Sequence, residues 1–199
     1  MDRHVIRKGM FMNKRAIHFV QKGFTLVELL IVAIILAILA AIVVPQFASS
    51  TTDAQESALR SDLAAIRAAI DLYRQQHGEY PGVNASSGGT CTGGTKGTGA
   101  AGTATAFRDQ MVRYTDNNGN SCSLQDASGE LFPLGPYLKE NQIPTNPITG
   151  DATIEIVTTG DLEMGGTGAG GGWKYDTTSG KFIANDTNTD SAGVAYETY

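Results

Sequence analysis

The sequence is poor in the residues on which metal and nucleophilic chemistry are usually built. It holds two cysteines, Cys91 and Cys122, and three histidines in 199 residues. His4 and His18 lie in the first 23 residues, so His77 stands alone in the rest. Two Cys and one His are too few for a tetrahedral zinc site. Nothing in the pattern assembles a Ser–His–Asp set. The chain therefore reads as a non-enzyme. Basic residues are scarce as well, once the N-terminus is passed. Residues 1–23 carry Arg3, Arg7, Lys8, Lys14, Arg15 and Lys22 against Asp2, which leaves 9 basic and 19 acidic residues after Gly23. The formal net charge of −5 hides this split. Phosphate contacts need clustered Lys and Arg, so the acidic body predicts no direct nucleic-acid binding.

What is present is concentrated in one place. Phe24 to Val44 is almost entirely Leu, Ile, Val and Ala, interrupted by Glu28. As a helix this run is about 30 Å long, enough to cross the hydrocarbon core. The basic excess before it predicts a cytoplasmic N-terminus and a body beyond the membrane. A secretory signal peptide explains it poorly. The run is long for such a segment, and Pro45-Gln46-Phe47-Ala48-Ser49 offers a mediocre cleavage site. A plain anchor does not explain Glu28. A carboxylate at the membrane centre costs about 2.5–3.5 kcal/mol, less near the interface, and such residues usually act.

Lys22-Gly23-Phe24-Thr25-Leu26-Val27-Glu28-Leu29-Leu30-Ile31-Val32 resembles the processing motif of type IV prepilins and type II secretion pseudopilins. The resemblance implies cleavage between Gly23 and Phe24 by prepilin peptidase. It implies N-methylation of Phe24 and assembly of mature chains into a filament. Other copies of the chain and an inner-membrane assembly platform are then the expected partners. The implied localisation is a single pass through the bacterial inner membrane with the head in the periplasm, then a periplasmic or surface filament. Glu28 of one subunit would face the Phe24 amine of a neighbour, since a buried charge persists when paired. Met10 and Met12 are alternative starts that would shorten the leader. Three functional readings follow: a pilus subunit, a secretion pseudopilin, and an anchored periplasmic binding domain that never polymerises.

The expected fold is α+β: a long N-terminal helix, membrane-spanning in its first half, packed on a small antiparallel sheet as in pilins. Its parts are a leader (1–23), a hydrophobic assembly helix (24–47), an amphipathic continuation (48–78) and a globular head (79–199). Pro45 should end or kink the helix and bear on assembly. Leu59, Leu63, Ile66, Ile70 and Tyr73 form one apolar stripe, with Arg60, Asp62, Arg67, Asp71 and Arg74 off it. Gly78 supplies a stop. Beyond the Glu79-Tyr80-Pro81-Gly82 turn, residues 86–106 read as a low-complexity loop. Phe107–Tyr114 is a short helix or strand. Ala152–Thr158 is a strand, Gly165–Gly172 a turn, and Trp173–Asp176 with Lys181–Ala184 a hairpin.

Three further features bear on chemistry. In an oxidising compartment Cys91 and Cys122 predict one disulfide. Gly97-Thr98-Gly99-Ala100-Ala101-Gly102 matches G-x-G-x-x-G, but no strand precedes it and the region is Gly-rich, so it carries no dinucleotide reading. Asp186, Asn188 and Asp190 place oxygens at alternate positions, with Glu197 twelfth in that frame. Hard oxygens suit calcium, although Ser191 occupies the place where an EF-hand has Gly. Major pseudopilins that this chain resembles bind calcium in C-terminal loops, so Ca2+ is a candidate ligand for these four residues.

Overall fold

The computed structural model describes residues 23–125, 128–139, 142–168 and 171–199, without the side chains of 44, 45 and 47–49. Apart from Gly23, the expected leader lies outside the described residues. The chain divides into two compact units, one ending at Gln46 and the other spanning Phe47–Tyr199.

The first unit contributes the start of helix α1, Leu26–His77. Its apolar stretch Leu26–Val43 has a mean hydropathy of 3.2 and is long and apolar enough to cross a membrane. At 1.5 Å per residue these 18 residues span about 27 Å. Every side chain from Gly23 to Val43 is exposed. The helical assignment runs through position 45, so Pro45 does not end the helix. Proline removes one N–H and crowds the preceding turn, but flanking helix-formers can carry the helix across that single loss.

In the second unit α1 behaves as an ordinary amphipathic helix. Leu59, Leu63, Ile66, Ile70 and Tyr73 recur at helical spacing, and all five are buried. They share one core with Phe107 and Met111 of helix α2 (Ala104–Val112), with Ile143, and with Trp173, Tyr175, Phe182 and Ala184 of the sheet. Ring packing ties the layers together. Phe107 and Tyr175 have centroids 4.5 Å apart, and Trp173 and Phe182 5.3 Å. Each large apolar side chain buried here contributes about 1.5–3 kcal/mol. Gly78 follows α1 at φ 78°, with its N–H on the carbonyl of Arg74, the left-handed stop expected after a helix.

The sheet of three strands has the order β3-β4-β5: Ile154–Val157, Trp173–Asp176 and Phe182–Ala184. The hairpin β4–β5 is antiparallel, with Trp173 opposite Ala184. β3 runs parallel to β4, with Ile154 opposite Trp173, so the sheet is mixed rather than purely antiparallel. A parallel neighbour requires the chain to return to the same end before re-entering. The connection 158–172 does this, and Leu162 and Gly165 within it are fastened to the β4–β5 hairpin. There Lys174 donates to Gly165 O (3.1 Å) and Lys181 to Leu162 O (2.6 Å). Of the region read as a turn at Gly165–Gly172, residues 169 and 170 lie outside the described residues, and the rest belongs to this crossover. A separate hairpin, β1 (Tyr114–Thr115) and β2 (Ser121–Cys122), completes the head.

The low-complexity segment before α2 is ordered by two buried polar side chains of that helix. Asp109 accepts from Ser86 Oγ (3.0 Å) and Thr98 N (2.9 Å). Gln110 accepts from Gly82 N (2.6 Å) and donates to Asn84 O (3.0 Å) and Gly119 O (2.9 Å). The glycines of the G-x-G-x-x-G match serve packing. A Cβ on Gly99 would stand 2.1 Å from Ala106 N, and one on Gly97 would stand 2.2 Å from Ser121 Oγ. Cys91 and Cys122 are disulfide-bonded with Cα atoms 5.5 Å apart, fastening this segment to β2.

Candidate assembly site at the start of the apolar helix

The chain enters α1 through a capping box. Thr25 precedes the first helical residue, and its Oγ1 accepts the N–H of Glu28 at 3.2 Å. Glu28 reaches back, and its Oε2 accepts from Thr25 N at 3.4 Å and Thr25 Oγ1 at 3.5 Å. Threonine followed three residues later by glutamate is the sequence form of this motif, and it satisfies two otherwise orphaned donors. The box is written in the sequence as Thr25-x-x-Glu28. A carboxylate in the first turn also opposes the positive end of the helix dipole. Thus Glu28 has a local role before any partner is considered. The same carboxylate is exposed at the start of a helix whose side chains to Val43 have no cover. Gly23 and Phe24 lie immediately before the cap and are likewise exposed. Leu26 is 81% exposed and Leu36 59%, values a water-soluble helix would not sustain along 18 residues.

The candidate calcium residues are placed otherwise. Asp186 Oδ1 accepts the N–H of Asn188 (2.9 Å) and its Nδ2 (2.7 Å), closing a local turn. Asp190 Oδ1 accepts from Ala192 N and Val194 N, both 2.8 Å. Its Oδ2 accepts from Tyr199 Oη and from Arg60 Nη2 at 3.2 Å. Glu197 is turned to the N–H of Gly166. Among the described residues no three His, Cys, Asp or Glu side chains are grouped as a metal site requires. The oxygens of Asp190 and Glu197 serve donors of the protein itself, so the four residues do not fit a calcium ion.

Three side chains of α1 that border the apolar stripe hold the C-terminal segment. Glu56, buried, accepts from Ser191 N (3.1 Å) and Tyr196 Oη (3.4 Å). Arg60 binds Asp190 and donates to Tyr199 Oη at 2.6 Å. Arg67 donates to Phe182 O (2.9 Å) and Tyr199 O (2.5 Å), and its burial lowers the guanidinium pKa from the ordinary value. Positions 56, 60 and 67 are four and seven apart and share one face. The sequence marked Arg60 and Arg67 as off the stripe, and it carried no sign of their partners more than a hundred residues away.

Comparison with known proteins covers part of the chain. The family described as the prokaryotic N-terminal methylation motif matches residues 19–44. The type II secretion system core protein G of Pseudomonas aeruginosa is 46% identical over 61 residues, 31% of this chain and 43% of that protein. The fimbrial protein of Neisseria meningitidis serogroup B is 42% identical over 77 residues, 39% of this chain and 45% of that protein. The core protein G of Escherichia coli is 36% identical over 64 residues, 32% and 44% respectively. The chain thus spans less than half the length of these relatives. No solved structure matches it. With the methylation motif over residues 19–44, the apolar α1 and the α+β head, the chain is similar over part of its length to type II secretion core proteins G and to a fimbrial protein.

Proposed function

We propose that this protein is a structural subunit of a type IV pilus or pilus-like filament. Prepilin peptidase cuts between Gly23 and Phe24, Phe24 is N-methylated, and the mature chain assembles through α1. The observation that carries this reading is Glu28, a carboxylate in the first turn of α1, at the start of its exposed apolar stretch Leu26–Val43. Cleavage would free an α-amine on Phe24, with an unperturbed pKa of about 7.7–8.0, which methylation leaves cationic. In a packed core of such helices the dielectric is low, and an uncompensated carboxylate is disfavoured. The amine of a neighbouring Phe24 supplies the compensation. Before assembly the subunit sits in the inner membrane with its head on the periplasmic side, where an assembly platform would collect it. Pro45 lies where the apolar segment gives way to the head, and a weakened backbone ladder there would let the helix adapt on assembly.

A second reading is a pseudopilin acting in protein export. It is favoured by the identity, over 61 residues, to type II secretion core proteins G. A membrane-anchored periplasmic binding domain that does not polymerise is the remaining alternative. No catalytic role is assigned, since the family is structural.

Two Glu28 variants test the assembly role. Glu28→Gln keeps a side chain able to complete the capping box but removes the charge. Glu28→Ala removes both. Filament yield should collapse in both variants, while membrane insertion persists. Yield unchanged in Glu28→Gln would show that the charge is not used and would reject the pairing. Mass spectrometry of the mature N-terminus should show methylated Phe24, and an intact leader would reject the processing.

A further inference from the structure

We propose that Arg60 is the resident cation of the C-terminal loop, closing residues 186–199 on Asp190 so that the loop needs no divalent metal. The proposal starts from the number of donors on one carboxylate. An ionised carboxylate offers about four lone-pair sites. Asp190 has four donors: Ala192 N, Val194 N, Tyr199 Oη and Arg60 Nη2. Its side chain is 3% exposed. No oxygen valence is left for a metal, and the carboxylate does not stand bare.

The arrangement around it is built, and it is not a chance surface pair. Asp190 makes its own tight turn, with Asp190 N donating to Val194 O (2.8 Å) and Gly193 N to Asp190 O (3.0 Å). Gly193 takes φ 84°, which an L side chain resists. Arg60 lies over the ring of Tyr199, 4.2 Å from its centroid, and so meets both the face and the hydroxyl of that residue. The planar guanidinium suits this double duty in a way an ammonium does not. One turn earlier on α1, Glu56 takes Ser191 N and Tyr196 Oη; two turns later, Arg67 takes Tyr199 O. The loop is therefore held along α1 by an acid and two bases.

A metal-closed loop and an Arg60-closed loop differ in where the cation comes from. A metal is exchangeable, so its loop opens when the ion is chelated. Arg60 is covalently part of α1, so this loop closes as soon as the helix docks, whatever the divalent ion concentration. The inference does not rest on filament assembly and can fail or hold independently of it.

The test is thermal unfolding of the full chain in detergent, followed by the near-ultraviolet signal of the head. Wild type should melt at the same temperature in excess chelator, in millimolar calcium and in millimolar magnesium. Arg60→Gln should lower Tm by roughly 2–4 °C, the shift expected for losing about one contact in a domain of this size. Asp190→Asn should lower it comparably. The double variant should fall by less than the sum of the two single losses, because Arg60 and Asp190 are coupled through their shared contact. Arg60→Lys should recover part of the loss. A wild-type Tm several degrees higher in calcium than in magnesium would overturn the proposal, as would Arg60→Gln melting like wild type. If Arg60→Gln does not fold, calcium titration calorimetry on wild type still decides: no heat supports an internal cation, and saturable heat rejects it.

Discussion

The two parts of α1 keep apolar residues for different purposes. From Leu26 to Val43 apolar residues stand on every side of the helix and all are exposed. From Leu59 to Tyr73 they occupy one stripe, and that stripe is buried in the head. The difference is one of solvent. A helix that is apolar all round has no polar face to offer water, so its cover has to come from lipid or other helices. A helix with one stripe brings its cover in the same chain. The first part is thus finished by association, and the second by folding.

The largest expected effects separate these two modes. Trp173 is fully buried in the head, and its Nε1 donates to Pro144 O at 2.8 Å. Trp173→Ala should destabilise the head by about 3–5 kcal/mol, read by denaturant unfolding, while membrane insertion of the chain is unchanged. Leu36→Arg should do the reverse. A charge at the centre of the span costs about 2.5–3.5 kcal/mol on insertion, and the head should unfold as wild type does. A head destabilised by Leu36→Arg would break the comparison.

The disulfide sharpens it. Cys91 and Cys122 are 31 residues apart and join the glycine-rich segment to β2. In the chain-entropy picture a loop of this length contributes roughly 3–4 kcal/mol. Replacing both cysteines with serine should lower head stability by up to that amount, measured by urea unfolding under oxidising conditions. Insertion should not respond. A head of unchanged stability would mean that the buried contacts of Asp109 and Gln110 already hold the segment.

What was legible in the sequence follows the same division. Patterns that repeat locally could be read: the apolar run, the stripe at Leu59, Leu63, Ile66, Ile70 and Tyr73, the Gly78 stop and the β4–β5 hairpin. Each is decided by neighbours a few residues away. Features decided by distant partners were not legible. β3 reads as a strand from Ile154 and Ile156, but its parallel pairing depends on where the connection 158–172 travels. Residues 86–106 look like a featureless loop because their order comes from Asp109 and Gln110 after it, and helix α2 begins inside it at Ala104. Oxygens at Asp186, Asn188 and Asp190 suggest a metal when taken alone. The cation that serves Asp190 sits 130 residues earlier, on α1.

The smallest expected effect concerns the end of α1, where His77 is packed under the head. Its Nε2 lies 3.1 Å from Thr115 Oγ1 and 3.0 Å from Tyr137 Oη, and its ring stacks on Tyr73 at 3.9 Å. Burial lowers the imidazole pKa from its ordinary value, against the weaker opposing pull of the Asn117 main chain and the Asp116 charge. The folded head therefore binds a proton less readily than the unfolded chain. The stabilising term is complete above the unfolded pKa of about 6.5 and is lost as pH falls from there through the folded value. Asp190 and Asp176 are also held below the ordinary Asp range. The first owes this chiefly to the Tyr199 hydroxyl; for the second, hydrogen bonds led by the Thr178 N–H outweigh burial. Their terms fade only as pH falls below about 4, so they leave the His77 window clear. The Tm of the head should decline between about pH 7 and pH 5, and His77→Gln should flatten that decline. A head that gains stability over this range would show that Asp116 outweighs burial, and that this end of α1 is closer to water than its packing implies.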